Sequence, residues 1–235
     1  MELVYLGHSG FAIKATNYVV IVDYFEDKNC KLNEIFSNSE KVYVLVSHQH
    51  HDHFNSEIFN FVKYRNDITY ILSSDIELNN IENLPKQVIT LSKGESFDDG
   101  VFCVTAYGST DVGVSFLMKI DGENVFHAGD LNNWHWEEES TIEEIEEAEK
   151  NYLSELNILA ENVQSLNLAM FPVDPRMEGD YARGARQFLE RIKVEYFVPM
   201  HTWGMWEKAF NISRYLNSEF GQCICLKDGE CVTLN

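Results

Sequence analysis

The sequence predicts an α/β protein in which two β-rich halves form one domain and helices lie outside. Short strand-like runs fill the first half of the chain, whereas strand-like and helix-like segments alternate in the second half. No linker or low-complexity segment separates the halves, and 235 residues suit one large domain. We therefore expect a single domain that covers residues 1–235.

Strand patterns dominate the first half. The turn Gly7-His8-Ser9-Gly10 lies between two strand-like runs and predicts a β-hairpin. The continuous apolar run Val42–Val46 predicts a central strand that is buried on both faces. Apolar residues near helical spacing predict a helix over His50–Arg65, and Asp121-Gly122 predicts a tight hairpin turn. The other strands predicted in this half are Glu2–Leu6, Phe11–Lys14, Tyr18–Val22, Ile68–Leu72, Gln87–Thr90, Phe102–Ala106, Val114–Ile120 and Asn124–His127.

The second half carries the strongest helix signal. Ser140 and Glu143 fit the capping-box pattern, and apolar residues recur after them at spacings of three or four. The acidic residues around this start suit the positive end of a helix and indicate a solvated face rather than a metal site. The elements predicted after it are strand Leu168–Pro172, helix Arg183–Ile192, strand Tyr196–Pro199, helix Trp206–Leu216 and a final hairpin, Cys223–Leu234, that turns at Asp228-Gly229.

Charge and composition argue against several classes of function. The 18 basic and 38 acidic residues give a net charge of −20, which repels nucleic acid and anionic membranes. The chain has no apolar run of about 18 residues and opens with no signal-peptide pattern, so we expect a cytoplasmic protein with a small-molecule substrate. Assembly into a homo-oligomer stays open. Five cysteines are expected to be small buried hydrophobes in a reducing compartment: Cys30, Cys103, Cys223, Cys225 and Cys231.

Residues 47–53 read SHQHHDH and crowd histidine and carboxylate groups into one loop. His48 and His50 are two positions apart, so they project together from an extended segment, and Asp52 and His53 follow where the chain turns. Imidazole and carboxylate groups are ligands of zinc, manganese and iron. One loop can thus supply two ligands to each of two metals, and such a pair can share a bridging hydroxide that acts as a nucleophile.

The pattern H-x-H-x-D-H after a strand resembles the signature of the metallo-β-lactamase superfamily. Four other stretches resemble that family in the same order along the chain: Leu6–Phe11, Ile21–Asp23, Val125–Asp130 and Val198–His201. In these details the chain is most similar to the ascorbate-6-phosphate lactonase-like hydrolases. The resemblance implies a four-layer αββα sandwich, in which two mixed β-sheets pack face to face, helices cover the outside and the metals lie at one edge.

The resemblance also implies a set of metal ligands: His48, His50, Asp52, His53, Asp130 and His201. The first two would hold one metal, Asp130 would bridge, and the others would hold a second metal. The cofactor implied is one or two divalent ions, with zinc favoured and manganese or iron as alternatives. Ser109 stands where the family carries a further histidine. Asp111 either replaces that histidine as a ligand or caps its own turn, which would leave the first metal weak or absent.

Several residues near these motifs leave alternatives open. His8 either lines the mouth of the site or satisfies a backbone hydrogen bond. Asp23 either orients a ligand histidine from behind or is a turn carboxylate that ends a strand. His51 is expected to face solvent or to support the ligands, and His127 is expected to pack in the interior or to contact a ligand.

Other side chains are candidates for catalysis and substrate binding. Asp52 or a cleft histidine, for which His135 is the candidate, is expected to handle the proton. The stretch Leu131–Trp136, which contains Trp134, is expected either to form a wall of the cleft or to pack on the core as an aromatic loop. Asp174 is expected in substrate binding, while Arg176 either clamps an anionic group or pairs with a carboxylate of its own loop. By family analogy we predict a metal-dependent hydrolase of a small ester, lactone or phosphorylated substrate. The alternative is a metal-binding protein of the same fold with a nuclease, iron-redox or sensing role.

Overall fold

A computed structural model of the protein describes residues 1–29, 31–38, 41–79, 81, 84–216 and 221–235. Its strands form two mixed, seven-stranded sheets. The first sheet contains, in spatial order, β14 (Cys231–Thr233), β1 (Glu2–Gly7), β2 (Gly10–Lys14), β3 (Tyr18–Val22), β4 (Lys41–Val46), β5 (Thr69–Ser73) and β6 (Val88–Leu91). The second sheet contains β13 (Gln222–Cys223), β12 (Lys193–Met200), β11 (Ser165–Pro172), β10 (Glu123–His127), β9 (Val114–Ile120), β8 (Cys103–Gly108) and β7 (Ser96–Asp98).

Helices pack on the sheets. The α-helices are α1 (Lys31–Asn38), α2 (Ile142–Asn162), α3 (Arg183–Arg191) and α4 (Trp206–Ala209), and 3₁₀ helices cover Ser56–Lys63, Pro175–Met177 and Phe210–Tyr215. Phe188 of α3 packs on the second sheet, with its ring centre 4.7 Å from that of Phe171 and 5.7 Å from that of Phe126. Within the ranges described, no helix is long and apolar enough to cross a membrane.

Strand β4 shows how the layers meet. Val42, Val44 and Val46 pack with apolar side chains of α1 and of the 3₁₀ helix at residues 56–63. Tyr43 and Leu45 alternate with them and join the larger core that the two sheets share. The strand is therefore buried on both faces, as its continuous apolar run predicted, because one face meets the other sheet and the opposite face meets helices.

The predicted final hairpin is wrong. Strand β13 pairs in parallel with β12 in the second sheet, whereas β14 pairs in antiparallel fashion with β1 in the first sheet. The Asp228-Gly229 turn therefore lies in a crossover between the sheets, where the amide of Gly229 donates to the carbonyl of Tyr5 at 2.7 Å. The alternation of apolar residues shows that a segment is a strand, but it does not show which sheet that strand joins.

Local boundaries also differ from the predictions. The helix expected over His50–Arg65 is a 3₁₀ helix that is confined to Ser56–Lys63. The capping box of α2 uses Thr141 and Glu144, one position after the predicted pair. Helix α1 and strand β7 were not predicted, because both are short and their apolar pattern is weak.

The cysteines do not form the buried set that was expected. Cys225 and Cys231 are exposed, and Cys103 and Cys223 are half-buried. Cys30 lies outside the described residues. None of the four described cysteines is in a disulfide, and the Sγ atoms of Cys223 and Cys225 are 3.7 Å apart.

Candidate metal centre

Loops at one edge of the sandwich bring histidine and aspartate side chains together. They follow the carboxyl ends of β1, β4, β10 and β12 and connect β8 to β9. The side chains form two groups, and within each group one ligand atom per residue lies within 4.8 Å of the others. The first group is His48, His50, Asp111 and Asp130, and the second group is His8, Asp52, His53 and His201.

The first group is open to solvent on one side. His48 is fully buried, whereas the side chains of His50 and Asp111 are 44% and 41% exposed. Nδ1 of His50 lies 3.2 Å from Oδ2 of Asp111, and Nε2 of His48 lies 3.5 Å from Oδ2 of Asp130. Asp111 thus lies beside His48 and His50, the two histidines of the first group, and no third histidine among the described residues belongs to that group.

The second group is buried and adjoins the first through Asp130. Nε2 of His53 lies 3.0 Å from Oδ1 of Asp130. Nε2 of His201 lies 3.6 Å from that same oxygen and 3.6 Å from Oδ2 of Asp52. Asp130 therefore turns one carboxylate oxygen towards each group, which is the arrangement that a bridging ligand requires.

The atoms that face one another suit metal ions. Nε2 of His8, His48 and His53 and Oδ1 of Asp130 are buried without a hydrogen-bond partner, which is costly unless another group satisfies them. Facing atoms in the two groups are 3.0 to 3.6 Å apart. Ligands of one tetrahedral ion with bonds of about 2.05 Å are separated by about 3.3 Å. The residues present therefore fit a divalent metal in each group.

Two buried carboxylates hold ligand histidines from behind. Oδ2 of Asp23 lies 2.7 Å from Nδ1 of His53, and Oδ2 of Asp174 lies 3.0 Å from Nδ1 of His201. Both bonds fix a ring and leave its Nε2 for a metal. Of the two roles expected for Asp23, the geometry matches the one in which it orients a histidine from behind. Asp174, which was expected in substrate binding, is instead fully buried behind His201.

Burial and charge set the protonation of these groups. Burial raises the pKa of Asp52, but the close contacts of its carboxylate with the imidazoles of His201 and His8 outweigh that effect and hold the pKa below its usual value. The pKa of Asp130 is also below its usual value, because His53 outweighs the effect of burial. Both carboxylates are therefore anions at neutral pH, as metal ligands must be. Burial and the charge of His53 lower the pKa of His48 to about 4, which leaves its Nε2 lone pair free.

A loop bounded by glycines delivers Asp111. Gly113 has φ +76°, and a Cβ at this position would lie 2.2 Å from the carbonyl oxygen of Ser47. In the same loop, the hydroxyl of Thr110 donates to the carbonyl of Asn132 at 2.6 Å. The loop is thus fastened both to the start of the histidine loop and to the segment after β10, and the first contact requires glycine.

A cleft of about 480 Å³ opens over the two groups. Trp134, Trp136 and Trp203 line it together with Arg176. The guanidinium carbon of Arg176 lies 4.3 Å from the ring centre of Trp203. The volume suits a small ligand, and a wall of aromatic side chains with a few polar groups is typical of such sites. Trp134 therefore lies in the cleft wall, as expected.

Comparison with known proteins identifies the family. The family model for the beta-lactamase superfamily domain matches residues 2–147. The chain belongs to the metallo-β-lactamase superfamily. Among curated proteins, a UPF0173 metal-dependent hydrolase of Carboxydothermus hydrogenoformans is 22% identical over 86% of this chain and 86% of its own. A second, from Symbiobacterium thermophilum, is 24% identical over 100% of both chains.

Solved structures share the fold of this superfamily member. Igni18, a metallo hydrolase from Ignicoccus hospitalis, matches with a TM-score of 0.67 and 16% identity over 98% of this chain and 97% of its own. CmlA, a diiron β-hydroxylase from Streptomyces venezuelae, matches with a TM-score of 0.67 and 13% identity over 99% of this chain and 54% of its own. At these identities the likeness establishes the fold alone, and it confirms the predicted metallo-β-lactamase sandwich.

His135 lies behind the cleft wall of this superfamily member. Its side chain is buried, and its Nε2 lies 3.2 Å from the carbonyl oxygen of Asp180. The neighbouring Trp134 and Trp136 both line the cleft. His135 itself does not line the cleft, because its ring turns to the backbone of Asp180 instead. We therefore assign His135 no catalytic role, contrary to expectation.

The remaining histidines behave as the sequence suggested. The side chain of His51 is 85% exposed at the mouth of the cleft. His127 is buried, with Nε2 2.8 Å from the carbonyl oxygen of Ser9, and its Nδ1 accepts the amide of Gly129 at 3.1 Å. His51 thus faces solvent, whereas His127 packs in the interior beneath the two candidate ligand groups.

Sequence reasoning missed one wall of the cleft, Trp203, and did not place His8 among the metal-ligand candidates. Seven non-glycine residues in the described part of the chain have positive φ. Five of them belong to this region: His8, Asp23, Trp136, His201 and Trp203. Such conformations are costly and cluster at functional sites. Two features of the sequence could have indicated these residues. Glycines flank His8 on both sides, and Trp203 follows the candidate ligand His201 by two positions.

Proposed function

We propose that this protein hydrolyses a small ester, lactone or phosphorylated molecule that carries a negative charge. The protein is a metal-dependent hydrolase of the metallo-β-lactamase superfamily, and its curated relatives bear that class in their names. The observation that carries the proposal is a pair of ligand groups that adjoin at Asp130 on the floor of a cleft. The net charge of −20 favours a small solute over nucleic acid or an anionic membrane as partner.

The residues divide the work of hydrolysis. His48, His50 and Asp111 would hold one divalent ion, Asp130 would bridge, and the second group would hold the other ion. Bound ions of this kind lower the pKa of water and polarise the bond that is attacked. Asp52 lines the cleft as an anion, so its carboxylate is available to accept a proton from the attacking water.

Arg176 supports the choice of an anionic substrate. Its Nε and Nη2 bond to Asp174 at 3.0 and 2.6 Å, so the guanidinium is fixed in place. The side chain is still 40% exposed and lines the cleft, and its Nη1 has no hydrogen-bond partner among the described residues. A fixed guanidinium with a free donor binds carboxylate or phosphate. Pairing within its own loop therefore prepares Arg176 to bind an anion.

Asp111 bears on the choice of metal. A carboxylate oxygen in place of a third imidazole shifts the preference of the first position from zinc towards manganese or iron. An iron-dependent redox role is the second candidate, because the structural neighbour CmlA is a diiron β-hydroxylase. The visible spectrum of the purified protein separates the two, since a redox iron site absorbs visible light and a zinc or Mn²⁺ hydrolase site is almost colourless.

Metal removal tests the proposed function. Chelator-treated protein should lose hydrolysis of a panel of anionic esters, lactones and phosphate esters, and Zn²⁺, Mn²⁺ or Fe²⁺ should restore it. His50→Ala and Asp130→Ala should abolish turnover without changing the circular dichroism spectrum. His135→Asn is the matched control, because His135 belongs to neither ligand group and does not line the cleft. Hydrolysis that survives complete metal removal would contradict the proposal, and so would a protein that binds no transition metal after soaking.

A further inference from the structure

His8 belongs to the second ligand group, although the family resemblance assigns it no metal. Its side chain is only 6% exposed. Its Nε2 lies 3.1 Å from Oδ2 of Asp52, yet without the geometry of a hydrogen bond, and it has no other partner in the described residues. The two atoms therefore converge on a common point rather than bonding to each other.

The backbone holds the His8 ring in this position. His8 has φ 54°, a left-handed conformation that residues with a side chain rarely adopt. Its carbonyl oxygen accepts hydrogen bonds from the hydroxyl of Tyr5 at 2.5 Å and from the amide of His201 at 3.0 Å. The ring centre lies 4.2 Å from that of His201 and 4.6 Å from that of Trp203. The turn after β1 is thus tied directly to the loop that carries His201.

A histidine that merely supported its neighbours would be bonded differently. The supporting groups of this site, Asp23 and Asp174, contact the Nδ1 atoms of His53 and His201 from behind. His8 instead turns an unpaired Nε2 towards the same space as the ligand atoms of its group. Its distance to Asp52 matches the separation of about 3.3 Å that two ligands of one tetrahedral ion adopt.

We propose that His8 is a protein ligand of the metal in the second group, beside Asp52, His53 and His201. The inference rests on the proposed metal-dependent function and adds a ligand from the turn between β1 and β2. With His8, the three imidazoles and Asp52 would give the second position four protein ligands, which is the number that closes a tetrahedral site.

A closed and an open position should bind metal unequally. All four residues of the second group are buried, whereas His50 and Asp111 of the first group are 44% and 41% exposed. The second position therefore fills first and holds its ion more tightly. The first position keeps its open side towards the cleft, where substrate and water approach. Loss of His8 should weaken the tighter position selectively.

Titration of chelator-treated protein with Co²⁺ tests the ligand role, because the visible absorption of Co²⁺ reports the number and type of its ligands. The wild-type protein should bind in a tight and a weaker phase. His8→Asn retains a residue that tolerates left-handed backbone, and it should weaken the tight phase by about tenfold or more and change its absorption. His135→Asn is the matched control and should leave both phases unchanged, because His135 lies outside both groups and outside the cleft lining.

A second variant separates ligation from folding. His8→Gly suits the left-handed backbone and opens a slot between His201 and Trp203. Added imidazole should occupy that slot and restore both the tight phase and its absorption. Wild-type phases and absorption in His8→Asn would overturn the ligand role and leave the proposed function intact. A His8→Gly variant that loses the tight phase and does not regain it with imidazole would also overturn the ligand role. A wild-type protein that binds no Co²⁺ would overturn both proposals.

Discussion

Asp111 shows how one residue can change a metal site. The glycine-bounded loop places its carboxylate 3.2 Å from Nδ1 of His50, and the same loop carries Ser109 where the family resemblance implies a histidine. The hydroxyl of Ser109 is buried without a hydrogen-bond partner and is a poor ligand for such metals. The geometry therefore favours Asp111 as a ligand over Asp111 as a turn cap.

Asp111→Asn should separate these two roles. If the carboxylate is a ligand, the loss of its charge should lower the affinity of the first position by about tenfold or more. If it caps the turn, asparagine keeps the acceptor oxygen and metal content should not change. Elemental analysis after gel filtration measures the difference. Asp98→Asn is the control, because Asp98 is a turn carboxylate that accepts the amide of Gly100 at 2.8 Å.

The limits of sequence reasoning at this scale come from side-chain direction. The sequence predicted that the histidines and the aspartate after β4 lie close together, because all of them belong to one short loop. The structure does bring them together. The directions of His135 and Asp174 were not readable, because each depends on backbone angles that neighbouring elements impose. The place of His8 was hidden for the same reason, since its left-handed turn is held by bonds to Tyr5 and His201.

At the scale of elements, the loop between β8 and β9 depends on Gly113. Gly113→Ala should destabilise the protein by more than the roughly 1–2 kcal/mol that left-handed backbone costs a residue with a Cβ, because that Cβ would also lie 2.2 Å from the carbonyl oxygen of Ser47. Gly100→Ala is the matched control, since Gly100 has φ +81° and nothing within 4 Å of the added atom. Urea unfolding measures both variants. If both variants lose the same free energy of unfolding, the backbone at Ser47 relaxes around the added Cβ and the close contact contributes nothing.

The start of α2 offers a second test. The hydroxyl of Thr141 accepts the amide of Glu144 at 3.3 Å, and the carboxylate of Glu144 accepts the amide of Thr141 at 2.8 Å. Thr141→Ala should therefore lower the free energy of unfolding by about 1 kcal/mol. Ser140→Ala should change it little, because Ser140 precedes the cap. A larger effect at Ser140 would favour the sequence-based boundary over the structure.

That one-residue error shows what a local pattern can establish. Ser140 with Glu143 and Thr141 with Glu144 both fit the capping box, so the sequence predicts the helix but not its first residue. The β9–β10 hairpin was predicted correctly because its turn and its pairing are both local. The partners of β13 and β14 were not predicted, because they depend on the packing of the whole fold. Strand β14 pairs with β1, which lies more than two hundred residues earlier in the chain, and β13 pairs with β12 of the other sheet.

At the scale of the whole molecule, the net charge opposes the approach of the anionic substrate that we propose. The net charge is −20, whereas Arg176 presents a guanidinium inside the cleft. The repulsion acts over the whole approach, but salt screens it beyond about 10 Å at 0.1 M. The attraction of Arg176 acts at contact, where the aromatic walls exclude part of the solvent, so salt weakens it less. Ionic strength should therefore affect the capture of substrate more than its binding in the cleft.

This balance predicts an unusual salt response. For an anionic substrate, kcat/KM should rise as ionic strength increases from about 0.01 to 0.15 M, because screening removes the long-range repulsion. For a neutral analogue with the same leaving group, kcat/KM should stay nearly constant.

Arg176→Gln should raise KM for the anionic substrate and leave the neutral analogue unaffected, because glutamine retains donors but not the charge. Steady-state kinetics with both substrates, at constant metal saturation, measure all three effects. If kcat/KM for the anion falls with salt, the local field of Arg176 outweighs the net charge during capture. If Arg176→Gln affects both substrates equally, Arg176 holds the cleft wall and does not bind the anion.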